Sequence, residues 1–467
     1  MTGRRLLGFG RCRAAAYNSL AMTQAPTLAP PRAAGRTDRL ALSFLVACAL
    51  LAALLIFANA LPIWLTALAI AGLLAVFIWR AVATRTVLPA TAVDWPNVLA
   101  LLLLPVGLWA SHDPAASWPT IVKVIAGFGL FYGVAGLADS RWVDWLPWLL
   151  VAAAALASLA VLFGTRWFTS KLPFVPDQIY AALPSLTSNN PLAGFHPNLA
   201  GALMASLFLP ALALAVWSGE RRLRAAAIAV AVLTGLALFL TQSRGAWAGL
   251  AVALLVAPAL RYRRWWIVIA VVGGLLAVAL AARGPSMVHQ MMAAPLTDET
   301  AINTLPGRLE LWSRALAILG DSGLTGVGPG LFEPVVMRLY PPFFTGVQGG
   351  FFHPHNVYLQ TAVDFGVGGA VALVALGLGL GASLVAATRR LPDAAAAGGR
   401  QLSLHSMAIG LFGSLVMMAA HGLVDSSLSP PRGYAVAFAL FGAAAALANH
   451  LSRTPTNAQP AARETGR

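Results

Sequence analysis

The chain has 467 residues, of which 59% are hydrophobic and only 10% are charged. This balance excludes intrinsically disordered and collagen-like chains and is too apolar for an ordinary soluble enzyme. The formal net charge of +15 fits nucleic-acid binding, but the arginines lie in short clusters between apolar runs, a pattern typical of membrane topology signals. We therefore predict an all-α polytopic membrane protein whose partners include membrane lipid and no nucleic acid. Two cysteines provide neither a disulfide framework nor a cysteine metal site.

The apolar runs predict about twelve transmembrane helices, because each run approaches the ~20 residues that cross a ~30 Å hydrocarbon core. The predicted spans are 40–58, 61–79, 97–111, 118–138, 143–164, 198–217, 224–241, 245–260, 265–282, 356–387, 402–424 and 433–451. The predicted segments are a basic arm (1–39), helices one to nine (40–282), a large loop containing helix (283–355), helices ten to twelve (356–451) and a tail (452–467).

Arginine and lysine predict the orientation of these spans. If the chain starts inside, 22 of the 31 basic residues lie in inner segments and 8 in outer segments, with Lys123 inside a span. This bias predicts that both termini are cytoplasmic and that the large loop is on the outer face. The topology rule does not account for arginines on the outer face, so those residues need another explanation.

The large loop carries a helix signal of its own. The signal consists of Pro306 in a first turn, Leu309, Trp312, Leu316 and Leu319 at helical spacing, and Gly320 as a stop. We predict an amphipathic helix lying on the outer membrane face. Glu310 precedes Arg314 by four residues and is expected to pair with it, whereas Arg308 has no such local partner. A glycine-rich turn, GVGPGLF, and a glycine-interrupted apolar stretch, PPFFTGVQGGFF, follow.

Two further cations lie at membrane depth, where charge is costly and tends to be retained for a partner. Arg244, in TQSRGAW, joins two apolar spans with almost no loop, and it is interpreted either as a ligand-binding cation or as an arginine snorkelling to the interface. Lys123 is expected near the same outer face, where a salt bridge with Asp364 is one alternative. His196, at the entry to the sixth span, is expected to be a helix-entry residue.

Histidines mark the return of the large loop to the membrane. His353 and His355 stand in the segment HPHN just before the tenth span, either as catalytic or ligating groups or as caps that bond interfacial groups. No zinc-like spacing or outer Asp-x-Asp accompanies them, so we predict no metal and no cofactor. His421 and Asp425 lie four residues apart in HGLVD and share a helix face. We expect them to position the reacting groups rather than to take part in the chemistry directly.

The segments TQSRGAW, GRLELWSRALAILGDSGLTGVGPGLF and HPHNVYLQ, in this order around one large outer loop, resemble the bacterial O-antigen ligase and polymerase superfamily. The resemblance implies a glycosyltransferase of the C type in the bacterial inner membrane, with its active site on the periplasmic face. It also implies an undecaprenyl diphosphate-linked glycan as donor, lipid A-core as acceptor and no metal.

The same resemblance implies roles for individual residues. His355 corresponds to the catalytic histidine of the family's His-Asn-x-x-Leu motif, followed by Asn356. Arg244 and Arg308 correspond to the two arginines that bind substrate. With Lys123 and His353 added, substrate contact is predicted for Arg244, Arg308, Lys123 and His353. Three further residues are expected to support the site: Asn356, His421 and Asp425. Arginine or lysine would stabilise a diphosphate leaving group, and an imidazole would accept the proton of the attacking hydroxyl.

The predicted function is therefore that of an O-antigen ligase in lipopolysaccharide biosynthesis that inverts the anomeric centre. An O-antigen polymerase or a protein O-glycosyltransferase of the same superfamily is the near alternative. A twelve-span secondary transporter is the alternative of another class, but it predicts two similar halves, whereas the long loops and motif arginines here are asymmetric.

Overall fold

A computed structural model of the protein describes residues 35–56, 63–165, 167, 176–183, 194–292, 305–343, 353–389, 398–426, 428 and 431–453. This part of the chain is nearly all helical and contains no strand, which confirms the predicted all-α fold. The α-helices are α1 (Arg36–Ile56), α2 (Ile63–Thr84), α3 (Asp94–Trp109), α4 (Pro114–Ala135), α5 (Leu146–Gly164), α6 (Asp177–Ala182), α7 (Pro197–Trp217), α8 (Arg221–Thr241), α9 (Arg244–Val256), α10 (Trp265–Met292), α11 (Leu305–Ser322), α12 (Phe332–Leu339), α13 (Val357–Phe365), α14 (Val367–Thr388), α15 (Gly399–His421) and α16 (Arg432–Arg453). Short 3-10 turns lie at Gly136–Asp139, Arg141–Trp145 and Ala257–Leu260. The predicted basic arm falls mostly, and the tail almost wholly, outside the described residues.

Ten helices in the described part of the chain are long and apolar enough to cross a membrane. The predicted spans 97–111 and 245–260 correspond to two shorter apolar helices, Asp94–Trp109 and Arg244–Leu260. The predicted tenth span is divided at Gly366, which separates α13 from α14 with a φ of +77°. A Cβ at Gly366 would lie 2.2 Å from the carbonyl oxygen of Leu324, so both the backbone conformation and the contact require glycine.

The most buried spans are α4, α7, α15 and α16, and they pack through small residues. A Cβ on Gly410 of α15 would lie 2.4 Å from the Cα atom of Pro210 in α7. A Cβ on Gly442 of α16 would lie 2.6 Å from the carbonyl oxygen of Phe131 in α4. Close backbone approach of this kind is how helices associate in a bilayer, because an apolar side chain gains little by contacting another helix instead of lipid. These contacts fix α7 and α15 side by side, and the first turn of α7 and the last turn of α15 both lie at the candidate site.

Helix α10 differs from every other described span because none of its residues from Trp265 to Gly284 is buried against the rest of the protein. It also continues to Met292, ten residues beyond the predicted end of the ninth span. The helix therefore presents apolar side chains on all sides, as expected of a helix surrounded by lipid.

The outer segment has a small apolar core of its own, formed by α11, α12, α13 and the glycine-rich turn. The predicted helix in this segment is confirmed as α11. Leu311, Ala315 and Ile318 are buried, whereas Leu316, on the face predicted to lie on the membrane, is 59% exposed. The buried face packs against α13 and the chain that follows α11, and contact of the Leu316 face with lipid stays a prediction.

Polar residues of the sequence motifs begin three helices at one end of the bundle. Ser243 caps α9 by accepting the N–H of Ala246, and His196 caps α7 through its Nδ1 atom. Asn356 caps α13 by accepting two backbone N–H groups with its side-chain oxygen. Side-chain caps satisfy N–H groups that the first helical turn leaves unpaired. The expectation that His196 is a helix-entry residue is confirmed, and the three caps bring their flanking residues together.

Candidate active site

The centre of the candidate site is a hydrogen-bonded pair of side chains that are 70 residues apart in sequence. The Nδ1 atom of His355 lies 3.1 Å from Oδ1 of Asp425. Asp425 is buried in the turn that follows α15, and it also accepts the side-chain amide of Asn198 at 3.0 Å and the N–H of Ser426 at 2.9 Å. The carboxylate is thus held from three sides by α7, the loop before α13 and its own turn.

Asp425 stays ionised in this environment. Burial alone would raise the pKa of its carboxyl, but the hydrogen bond to His355 and the neighbouring imidazoles outweigh burial and hold the pKa below its usual range. A carboxylate only accepts hydrogen bonds, so Nδ1 of His355 carries a proton, and in the neutral imidazole Nε2 has the free lone pair. This arrangement gives His355 the tautomer and orientation that a general base needs.

The backbone of His355 is strained. Its φ is +51°, in the left-handed region that non-glycine residues seldom occupy. Its N–H donates to Nδ1 of His353 at 3.1 Å, and the two rings lie edge to face with centroids 4.5 Å apart. Trp312 on α11 adds a second anchor by donating its indole N–H to the carbonyl of Pro354 at 2.8 Å. Strain of this size persists where surrounding contacts hold it, and it clusters at functional sites.

His353 is less suited than His355 to act as a base. Burial, followed by the nearby His355, lowers the pKa of its imidazole to about 4. The ring is therefore neutral at ordinary pH, and its Nδ1 lone pair is already used by the His355 N–H. The geometry makes His353 a positioning residue for His355, whereas the sequence predicts substrate contact for it.

Arg308 lies in the first turn of α11 and reaches the same turn as Asp425. One terminal nitrogen donates to the carbonyl of Val424, and the other lies 3.9 Å from Oδ2 of Asp425. Arg308 has no partner along its own helix, as predicted, but the turn after α15 supplies partners that are distant in sequence. Its Nε is buried and has no hydrogen-bond partner within the described residues, so one donor remains unsatisfied. Burial lowers the pKa of Arg308, Asp425 opposes that shift, and Arg244 adds to it.

Arg244 is the first residue of α9 and is exposed. No ion pair involves it among the residues that the structure describes, although its charge acts on Arg308. The next residue explains how α9 approaches the site, because a Cβ on Gly245 would lie 3.3 Å from Val424 and 3.4 Å from the His421 ring. The Ser-Arg-Gly segment therefore packs directly on HGLVD, and the charge of Arg244 acts on Arg308, which lies beside Asp425.

The remaining predicted residues divide into two groups. Asn356 donates its amide to the carbonyl of Leu423 at 3.1 Å, and His421 is buried beside the same turn, with its carbonyl accepting the N–H of Asp425. Both therefore contact the turn that holds Asp425, and their supporting role stays a prediction. Lys123 does not join the cluster by any hydrogen bond or ion pair in the described part of the chain.

The salt bridge between Lys123 and Asp364, one alternative from the sequence, does not form. The buried carboxylate of Asp364 instead accepts the N–H of Gly330 at 3.1 Å and the amide of Gln360 at 2.8 Å. The glycine-rich turn of the outer segment covers this carboxyl group, and sequence alone gave no indication of that contact. By contrast, the predicted pair of Glu310 and Arg314 is confirmed, with Nε and Oε1 2.9 Å apart.

One metal-binding arrangement is present among the described residues. Ligating atoms of His353, His355 and Asp425 lie within 4.8 Å of one another. However, both Nδ1 atoms are already engaged by hydrogen bonds, and the Arg308 guanidinium next to the carboxylate disfavours another cation. The donor set therefore fits an internal hydrogen-bond network better than it fits a metal.

Sequence reasoning missed Asn198 as a partner of Asp425. No local pattern signals this contact, because Asn198 lies in the first turn of α7 and Asp425 is 227 residues away. Trp312 was assigned only to an apolar helix face, although its indole N–H makes it a polar anchor.

Comparison with known proteins finds one family match, over part of the chain. No curated protein matches the chain. Residues 229–374, less than half of the chain, match a family model described as O-antigen ligase. The matched segment contains Arg244, Arg308 and the HPHN segment, whereas Asn198 and Asp425 lie outside it. The match confirms the resemblance to the O-antigen ligase and polymerase superfamily that the motifs predict.

Proposed function

We propose that this protein is an O-antigen ligase, a metal-independent inverting glycosyltransferase that transfers polysaccharide from undecaprenyl diphosphate to lipid A-core. The family match supports a lipid-linked polysaccharide as the general class of substrate. The observation that carries the reaction is the His355–Asp425 pair beside the guanidinium of Arg308. General base, anion and cation are thus brought to one point from segments far apart in sequence.

The base step follows from the tautomer of His355. Nε2 accepts the proton of an acceptor hydroxyl as its oxygen attacks the anomeric carbon, and the bond between that carbon and the diphosphate oxygen breaks. Asp425 stabilises the imidazolium that forms, and its hydrogen bond with Nδ1 holds the ring in place. A single displacement inverts the anomeric configuration.

The leaving diphosphate takes the bonding electrons and gains negative charge. Arg308 has a buried, unsatisfied Nε–H for a phosphate oxygen, and Arg244 is exposed next to it. Guanidinium groups match phosphate oxygens in geometry and stabilise the developing charge without a metal. Chelators are therefore expected to leave transfer unchanged, and inhibition that added Mg²⁺ or Zn²⁺ reverses would overturn the metal-free part of the proposal.

The function requires the site to face the periplasm of the bacterial inner membrane, where both substrates meet. Reporter fusions after residue 320 should be active only in the periplasm, and fusions after residue 220, at the other end of α8, only in the cytoplasm. The reverse result would contradict the topology and the function together.

The test of the reaction is a lipopolysaccharide gel from a deletion strain of the source bacterium. Loss of the O-antigen ladder with accumulation of lipid-linked polymer supports the ligase. A band with a single repeat would instead identify a polymerase, and a normal ladder with under-glycosylated protein would identify a protein O-glycosyltransferase. Complementation with His355→Ala should fail, whereas His112→Ala, an exposed histidine outside the cluster, should restore the ladder. Full activity of His355→Ala would favour the transporter alternative, which needs no base.

A further inference from the structure

The opposite end of the bundle carries a second concentration of charge. Helices α8 and α9 meet at the candidate site through residues 241–244, so the start of α8 and the end of the Arg244–Leu260 helix lie at the far end. We use the term basic corner for the five arginines at these two positions, Arg221, Arg222, Arg261, Arg263 and Arg264. The α7–α8 and α9–α10 turns that hold them are joined by a hydrogen bond from the indole of Trp217 to the hydroxyl of Tyr262 at 3.1 Å.

None of the five arginines has an acidic partner within 4 Å in the described part of the chain. Glu220 is the only acidic residue between positions 218 and 266, and it makes no ion pair with them among the described residues. Arg221 and Arg222 also lie in the first turn of α8, where the helix dipole disfavours positive charge. Among the described residues, no acidic side chain therefore compensates the charge of the basic corner.

A neighbouring group of arginines at the same end of the bundle serves as an internal comparison. Each of these arginines forms an ion pair with an aspartate. The ion pairs are Arg141 with Asp38, Arg400 with Asp144, and Arg453 with Asp139. Both groups satisfy the topology rule equally well, so that rule does not explain why one group is paired and the other is not.

The surroundings of the basic corner are apolar and open to lipid. Helix α10 begins directly after Arg264, and Trp266 and Tyr262 are exposed beside it, as aromatic side chains are at a membrane interface. Ile267, Val271 and Leu275 continue the exposed surface along α10 toward the middle of the membrane. A ligand that fits both features has an anionic head and long apolar chains.

We infer that the basic corner binds an anionic phospholipid, with its phosphate among the arginines of the two turns and its acyl chains along α10. The combination of clustered arginines and an unburied apolar helix favours a phospholipid over a soluble anion, since a soluble phosphate makes no use of α10. Basic pockets at the cytoplasmic ends of transmembrane helices recognise anionic headgroups in this way. The inference does not depend on the proposed function, because the site lies at the other end of the bundle.

The experiment uses the full chain purified in a neutral detergent, with phosphatidylglycerol as the probe. Native mass spectrometry should detect a retained phosphatidylglycerol, and thermal unfolding should show stabilisation by phosphatidylglycerol but not by phosphatidylcholine. Glycerol 3-phosphate at the same concentration supplies the headgroup charge without chains and should have no effect. Equal stabilisation by glycerol 3-phosphate would overturn the assignment to lipid.

Matched variants test whether the basic corner is the site. Arg263→Gln/Arg264→Gln should weaken phosphatidylglycerol binding ~30-fold, since each basic residue near an anionic lipid surface contributes about fivefold. Arg141→Gln/Arg400→Gln removes the same charge from the paired group and should change binding less than about twofold. An equal loss in both variants would show only diffuse attraction to positive charge and overturn the site. Unchanged binding in the first variant would overturn it as well, and because its two side chains are exposed, misfolding is not expected to obscure the result.

Discussion

Arg308 and Arg263 illustrate how differently the two ends of the bundle hold positive charge. At the site end, Arg308 is largely buried, bonds to the turn after α15 and lies beside an ionised Asp425. At the opposite end, Arg263 is exposed and has no ion pair among the described residues. Charge counts along the sequence therefore predict orientation from exposed arginines such as Arg263. The proposed chemistry depends instead on a buried arginine, Arg308, whose partners lie far away in the chain.

The contrast between the two ends predicts the largest loss of transfer activity at the His355–Asp425 pair. His355→Ala should lower transfer by roughly 10²- to 10⁴-fold, because general-base catalysis contributes on that scale. Asp425→Asn should also be severely impaired, since an amide does not stabilise the imidazolium. Transfer is measured with purified enzyme and lipid-linked donor, with His112→Ala as the control. Near-normal activity of Asp425→Asn would remove the proposed pair.

The arginines at the site end should show the next largest effect. Arg308→Ala is expected to reduce transfer by roughly 10²- to 10³-fold, as loss of one group that stabilises developing negative charge does elsewhere. Lysine should restore only part of the activity of either Arg308 or Arg244, because a point charge does not reproduce the guanidinium fork. Arg338→Ala, on the exposed side of α12, is the control. Complete rescue by lysine would mean that charge alone is sufficient.

His353 separates positioning from catalysis. His353→Ala removes the acceptor for the His355 N–H and should reduce kcat by roughly tenfold, the effect of one ordinary hydrogen bond. His353→Asn keeps a side-chain acceptor and should recover most of that loss with little change in KM. If His353→Ala is inactive while His355→Ala is active, the roles of the two histidines are reversed.

The smallest expected effect concerns stability and comes from Asp364, which has no place in the reaction. Burial raises the pKa of its carboxyl to about 7, so the folded state holds this proton between the unfolded pKa near 4 and pH 7. Stability should therefore fall as pH rises through that interval and level off above it. Asp364→Asn keeps the acceptor for the Gly330 N–H, and a flip of the Gln360 amide restores the second hydrogen bond. Its Tm should exceed that of the wild type by roughly 2–4 °C at pH 8 and by less at pH 5.

Sequence was sufficient for the architecture because lipid imposes long apolar helices, and hydropathy detects them. The motifs that carry the family resemblance also singled out Arg244, Arg308 and His355, whose roles stay predictions. Sequence did not indicate which residues of α11 pack against protein or which groups bind Asp364, since both depend on how the outer segment folds over the bundle. Asn198 was missed for a related reason: its partner Asp425 lies 227 residues away, and no local spacing signals the contact.

The left-handed backbone of His355 has a consequence for how this protein can be engineered. A glycine at this position would relieve strain worth ~1–3 kcal/mol, but it would also remove the hydrogen bond that His355 makes with the buried Asp425. The two effects are opposite in sign and similar in size, so the melting temperature is expected to change little while the proposed reaction is lost. Libraries screened only for expression or melting temperature are therefore expected to tolerate inactive variants at position 355, whereas selection for ligation would retain the histidine.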